Sequence, residues 1–202
     1  MEIPEMHLAL HGLAIKKHGT AEAVASISGL ELARVEALLE DAKSRGRVNE
    51  AAGKFMLAPT AQMALKGEYS RFYGQLRRDQ DFIDAYEQFE VINDQLKALI
   101  TRWQTMTVGG EQVSNDHSDP EYDAGIINDL GDLHERIEPV IARFSKHVPR
   151  LRLYGEKLSA ALDRVEDGEH RWVSDATIDS YHTVWFELHE DLLRITGRER
   201  SE

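Results

Sequence analysis

The sequence predicts a mainly α-helical protein in two parts. Residues 1–65 read as short helices followed by a small hairpin, and residues 66–202 as a helical bundle. Three observations carry this. Apolar residues recur at three- and four-residue spacing through most of the chain, the pattern of helices with one buried face. Glycines punctuate the first part at short intervals, whereas later segments run much longer between breaks. The charge shifts too: residues 1–60 hold 7 Lys/Arg and 8 Asp/Glu, residues 61–202 hold 17 and 28.

In the first part, Met6 to Lys17 reads as a helix with Met6, Leu10, Leu13 and Ala14 on one side. His7 and His11 stand one turn apart, a pair with metal-ligand spacing. No third ligand follows at matching spacing, so they read as a solvated face. Gly19 ends this helix, and Thr20 N-caps the next, Ala21 to Ile27. Ser28-Gly29 is a turn. Leu30 to Ser44 buries Val35, Leu38, Leu39 and Ala42, and Gly46 ends it. Arg47–Asn49 and Lys54–Leu57 read as a hairpin about Gly53, and Pro59-Thr60 opens another helix.

Three helices and a hairpin in this order match a winged helix-turn-helix. The stretch AVASISGLELARVEALLEDAKSRGRVNEAAGKFMLAPTAQMAL resembles the MarR-like pattern: a short helix, a turn at Gly29, a longer helix, Gly46 before the wing, then LAPTAQMAL. The resemblance implies DNA binding; by position and charge Arg34 on the helix and Arg47 and Lys54 on the wing are the candidate contacts, with Lys16, Lys17, Lys43 and Arg45 able to reach the backbone. The charge opposes it, because Glu31, Glu36, Glu40 and Asp41 share the outward face with Arg34. The alternative is a winged helix kept as a docking surface.

In the second part, Ala61 to Arg78 continues helical. Asp79 to Gln104 buries Phe82, Tyr86, Phe89, Ile92, Leu96 and Trp103, with Asn93 inside that arc and Lys97 at its margin. TMTVGGEQVSNDHSDP reads as a loop. Glu121 to His147 is the next helix, which Pro139 is expected to kink or split beside His134 and Glu138. Arg150 to Glu166 follows, with Gly155 permitting a close helix approach. The last helix contains DSYHTVWFELHEDLLR, N-capped at Ser174 or Asp175. Its arc holds Tyr181, Trp185, Leu188 and Leu192, with His182 and His189 inside the arc and Glu187, Glu190, Asp191 and Arg194 opposite. Gly197–Glu202 reads as a tail.

Histidines within apolar stripes need partners, and three readings follow. His182, His189, His134, Asn93 and Lys97, walled by Trp185, Tyr181, Trp103 and Tyr86, form a small-molecule pocket. Alternatively, His134, Glu138 and His182 hold a metal; His182 and His189 cannot share one, being seven residues and roughly 10 Å apart along the axis. Or each histidine is a satisfied core residue. His134 or His182 would serve as general base in an enzyme, but no nucleophile–base spacing or phosphate loop supports one. The loop NDHSDPEYD adds Asn115, Asp116, His117 and Asp119.

Among 202 residues there is no cysteine, so disulfides and thiolate chemistry are excluded. No apolar run has the length of a membrane span, and MEIPEMHLALHGLAIKKHG does not read as a signal peptide. A cytoplasmic protein is expected. The net charge of −12 argues against non-specific binding to nucleic acid or anionic lipid. NDHSDPEYD and DSYHTVWFELHEDLL are similar to an uncharacterised actinobacterial family often encoded beside pyruvate, phosphate dikinase. That similarity implies a role in phosphoenolpyruvate metabolism and transfers no catalytic residue. The leading expectation is a transcription-regulator-like protein whose bundle senses a ligand or forms a homodimer. The runner-up is an accessory protein that docks an enzyme without DNA. The sequence leaves the cofactor unknown.

Overall fold

The chain is mainly helical in the computed structural model, which describes residues 3–199; the end of the expected tail, residues 200–202, lies outside them. Its contacts divide it into two units, Met1–Gln80 with Glu187–Glu202, and Asp81–Phe186. Residue 65, where the sequence reading divides the chain, falls inside a helix of the first unit.

The first unit runs α1 (Glu5–Lys16), β1 (His18–Gly19), α2 (Ala21–Ser28), α3 (Leu32–Ser44), β2 (Val48–Ala51), β3 (Lys54–Leu57) and α4 (Pro59–Tyr73). Thr20 caps α2 as expected, its hydroxyl accepting from the Ala23 amide at 3.3 Å. Gly29, at φ 75°, ends that helix. The strands are antiparallel in the order β1-β3-β2, with His18 opposite Met56 and Val48 opposite Leu57. The sequence reading missed β1, which is only two residues long. Leu10, Leu13, Val24, Val35, Leu39 and Val48 form the buried core.

The second unit contains α5 (Gln80–Gln104), β4 (Thr105–Val108), β5 (Glu111–Ser114), α6 (Pro120–His147) and α7 (Arg152–Glu166). Residues 105–114, expected as loop, pair as a hairpin with Val108 opposite Glu111. Gly109 and Gly110 both take positive φ (62° and 90°), which a two-residue turn matched to strand twist demands. The alternation of TMTV and EQVS was the signal for it. The helix α6 runs unbroken through Pro139, contrary to the expected split. Pro139 and Glu135 are both exposed, so the carbonyl that loses its amide partner faces water at small cost. Gly155 does permit a close approach: a Cβ there would lie 3.3 Å from Ile141 Cγ2.

The last helix, α8, spans Tyr181–Thr196. Ser180, rather than Ser174 or Asp175, sits at its start and accepts from the Thr183 amide at 3.3 Å. Asp175 instead closes a preceding turn onto the Thr177 amide at 2.8 Å. Residues up to Phe186 belong to the second unit and those from Glu187 to the first. Within the first unit, the Arg77 guanidinium donates to the carbonyls of Ile195 and Arg194 at 2.8 and 3.2 Å, satisfying the last turn of α8.

Candidate functional site

His134, expected at a pocket or metal site, has both ring nitrogens engaged. Nδ1 lies 3.2 Å from Tyr181 Oη and Nε2 lies 3.1 Å from Ser159 Oγ. The Ser159 hydroxyl donates to the Gly155 carbonyl at 3.0 Å, so it accepts from Nε2–H, and Nδ1 accepts from Tyr181. One neutral tautomer satisfies every group. Burial holds the His134 imidazole below its ordinary pKa, against the pull of Glu138, Asp163 and Glu166. Burial likewise pushes the Tyr181 phenol up.

Asn93 is tied as tightly. Its Oδ1 accepts from Trp185 Nε1 at 3.0 Å, and its Nδ2 donates to Glu90, which also accepts from the Tyr86 hydroxyl. The Trp185 indole stacks on Phe89 at 5.2 Å and on Tyr181 at 6.2 Å. Asn93, Trp185, Tyr181 and His134 are thus linked in a chain of contacts. Lys97 points outward to Asp94, with half of its side chain exposed. His182 is half-buried, and its backbone amide donates to the Val173 carbonyl at 3.0 Å. From α8, Tyr181 meets His134 and Trp185 meets Asn93. His189 is buried and belongs to the first unit. Glu138 approaches His134 Nε2 to 3.7 Å, and among the described residues no group of three metal-ligating side chains forms. An open groove between α5 and α6, about 780 Å³, is lined by Gln95, Leu99, Arg102, Asp129, Leu133 and Arg136.

The expectation of a solvated His7 and His11 is overturned: they are 2% and 1% exposed. His11 Nδ1 lies 2.8 Å from Tyr69 Oη and Nε2 lies 2.9 Å from Asp191 Oδ1, while His7 Nδ1 lies 2.8 Å from Glu68 Oε2. Lys16 Nζ meets Glu187 Oε1 at 2.7 Å. Glu187 and Asp191, expected on the outer side of α8, are thus buried against α1. The Tyr69–His11–Asp191 array has the connectivity of a proton relay, but it opens onto no solvent. Burial also pushes the Tyr69 phenol far above its ordinary value, which disfavours it as nucleophile or acid. It is a structural tie.

A different histidine faces water. After β5, Asn115 Oδ1 accepts from the His117 amide at 3.0 Å and holds His117 at φ 59°, a left-handed conformation costly for a residue with a side chain. Asp123, 2% exposed, takes the Asn115 amide on Oδ1 and the His117 Nδ1–H on Oδ2, both at 2.9 Å. The His117 ring rests 4.4 Å from the Trp103 indole, and the edge of His170 meets the same indole at 5.7 Å. The side chain of His117 is 38% exposed, and among the described residues Nε2 makes no hydrogen bond. NDHSDPEYD carries this site, as its density of polar residues hinted, but Trp103 and His170 could not be placed beside it from spacing.

On the outer face of α3, Arg34 pairs with Glu5 at 2.6 Å, Lys43 with Glu40 and Glu50 at 2.6 and 2.7 Å, and Arg45 with Asp41 at 3.0 Å. Arg47 is half-buried and Lys54 exposed at the ends of the hairpin. Leu32 and Met56 are 39% and 51% exposed. No known protein family, curated protein or solved structure matches the chain. The functional reading therefore rests on these geometries alone, together with the resemblances noted in the sequence.

Proposed function

We propose that the first unit is a MarR-like winged helix used to dock a protein, and that the chain is a regulatory or accessory protein rather than an enzyme. The element order α1–β1–α2–α3–β2–β3 and the sheet order β1-β3-β2 support the winged-helix reading, in which α3 is the recognition helix. The deciding observation is the charge of that helix face. Arg34, Lys43 and Arg45 are each matched by a carboxylate within the unit, and Glu31 and Glu36 are exposed beside them. A phosphate backbone laid along α3 would meet as much negative as positive charge. Leu32, Ala33 and Ala37 offer instead an apolar strip edged by charges, the composition of a protein interface.

The similarity to proteins encoded beside pyruvate, phosphate dikinase makes that enzyme the first partner to test. Titration calorimetry of the chain against it is expected to show binding that Glu36→Lys with Glu40→Lys weakens by about tenfold, 1.4 kcal/mol, or more. Selection from genomic DNA fragments at moderate salt is expected to enrich no motif. Enrichment of a motif, weakened by Arg34→Ala and with a salt slope reduced by about 1 in Lys54→Ala, would replace docking with transcription regulation.

A further inference from the structure

β4 and β5 form a two-stranded ladder, and among the described residues no third strand joins it. Such a ribbon is marginal in water unless another strand or a packed face supports it. The turn is two residues long, so Val108 and Glu111 close it as a hydrogen-bonded pair. Bonded and non-bonded pairs alternate in an antiparallel ladder, so Met106 and Val113 are the next bonded pair and Gln104 and Asn115 the one after. The Asn115 amide does donate to the Gln104 carbonyl, at 2.9 Å. Thr105, Thr107, Gln112 and Ser114 therefore turn their amides and carbonyls away from the ladder. Part of the β4 edge is already used, because the Tyr122 hydroxyl donates to the Thr105 carbonyl at 3.3 Å. On β5 the outward main-chain groups of Gln112 and Ser114 meet no partner among the described residues. All of β5 is exposed. Natural edges are commonly blocked by lysine, proline or a bulge, and β5 has none of these.

We propose that β5 is the seam of a homodimer, pairing antiparallel with the β5 of a second copy about a twofold axis through Val113. What selects a second copy is that the strand is complementary to itself. In this register Gln112 faces the partner's Ser114, Ser114 faces the partner's Gln112, and the outward amides and carbonyls of both residues are all used. Val113 then lies opposite the partner's Val113 at a non-bonded position, where side chains come closest and a β-branched pair is favourable. It shares its face of the ribbon with Met106 and Val108, so the apolar strips of the two copies become continuous. Val108 and Val113 are 54% and 41% exposed in the single chain. Charge permits the pairing. The chain has a net charge of −12, and two copies repel, but Glu111 is the single charged group of residues 104–114. The register sets Glu111 opposite the partner's Asn115. The two Glu111 side chains are then roughly 14 Å apart along the strands, beyond the screening length of about 8 Å at physiological salt. Nothing in this assignment depends on the role of α3.

The test is sedimentation equilibrium of the full chain from about 1 µM to about 1 mM, the range of weak interfaces of small area, with amide hydrogen exchange followed at both ends of the series. A rise from one chain mass to two is expected. With it the Gln112 and Ser114 amides should become protected, while the Val113 amide, bonded to Met106, changes little. Val113→Lys places like charges face to face and is expected to weaken association about tenfold or more. Ser114→Pro removes an outward amide and leaves the ladder bonds of β4 and β5 in place, so it should weaken association with the hairpin retained. Val91→Lys, at an exposed valine of α5, should leave association unchanged. Mixing the Val113→Lys and Val113→Glu chains sets opposite charges across the seam and should restore the doubled mass. Circular dichroism, with exchange at Val113, checks that each variant keeps its helices and its hairpin. A single chain mass at every concentration overturns the proposal, even where an added extended peptide protects the same amides, since the edge then takes a foreign strand. Association that survives Val113→Lys and Ser114→Pro overturns it too, because the copies then meet elsewhere. Failure of the mixed chains to reassociate overturns the twofold register at Val113.

Discussion

His11 in the first unit and His117 in the second each place a ring nitrogen 2.9 Å from a buried aspartate, and they differ in what the other nitrogen does. In His11 it meets the Tyr69 hydroxyl, itself buried, so the pair is closed on both sides. In His117 it faces solvent. The chemistry of the two pairs is the same; the exposure of one nitrogen separates a tie between helices from a group that can bind or react. His134 makes a third case, with both nitrogens occupied by neutral hydroxyls and the neutral imidazole favoured.

The largest expected effect breaks the closed pair. Asp191→Ala removes a carboxylate that is 0% exposed and strands His11, Tyr69 and the Arg194 beside them in a dry setting. Breaking such a buried pair costs about 3–5 kcal/mol. Asp123→Ala should cost about 1–2 kcal/mol, because the partly exposed His117 can turn to water. Urea unfolding, with amide exchange in α1 and α6 as local readouts, measures both. Equal costs would remove the distinction between the two pairs.

The next effect is a pH dependence from His134. Its imidazole titrates below the ordinary 6.5 in the folded chain because burial opposes its charge. The unfolded chain then binds the proton first as pH falls, so the unfolded state carries more protons between 6.5 and the lowered folded value. Stability contributed by the neutral ring is complete above 6.5 and lost progressively as pH drops through that window. His134→Asn should flatten that part of the stability–pH curve. Tyr181→Phe should cost about 1 kcal/mol through the lost hydrogen bond. A slope unchanged in His134→Asn would assign the pH dependence to other groups.

Helices were legible because their buried stripes are local. The arc Phe82, Phe89, Ile92, Leu96 of α5 needs no knowledge of its partner to be seen. The glycine at 46 before the β2–β3 hairpin, the cap at Thr20 and the helix start at Pro59 were legible for the same reason. The histidine environments were not. α1 buries His7, Ala9, Leu10, His11, Gly12, Leu13 and Ile15, so it has no single apolar side, and a periodicity reading sends its histidines to solvent. The partner that explains His11 is 180 residues away on α8. In turn Asp191 looked external because the apolar arc of α8 was judged without α1. Two units sharing one helix defeat a reading that assigns each helix a single buried face. Of the expected polar set, Asn93 and His134 lie in the second unit with Tyr181 and Trp185 as neighbours, while Lys97 turns to Asp94 and His189 belongs to the first unit; the bonds to Ser159 and Glu90 depend on rotamers that spacing does not encode.

The smallest expected effect concerns Arg34, and it sharpens the contrast between buried and exposed pairs. Its guanidinium meets Glu5 at 2.6 Å, yet the two side chains are 53% and 48% exposed. Water screens that attraction, and two long side chains lose freedom to form it, so exposed pairs contribute about 0–1 kcal/mol. Arg34→Ala should therefore change stability by at most about 0.5 kcal/mol, and raising the salt concentration should shrink even that. The weakness of the pair has a functional side. Arg34 can leave Glu5 for a carboxylate on a partner at little cost, so the same substitution should reduce partner affinity more than it reduces stability. A stability loss comparable to that of Asp191→Ala would place Arg34 with the buried ties and not with the groups free to meet a partner.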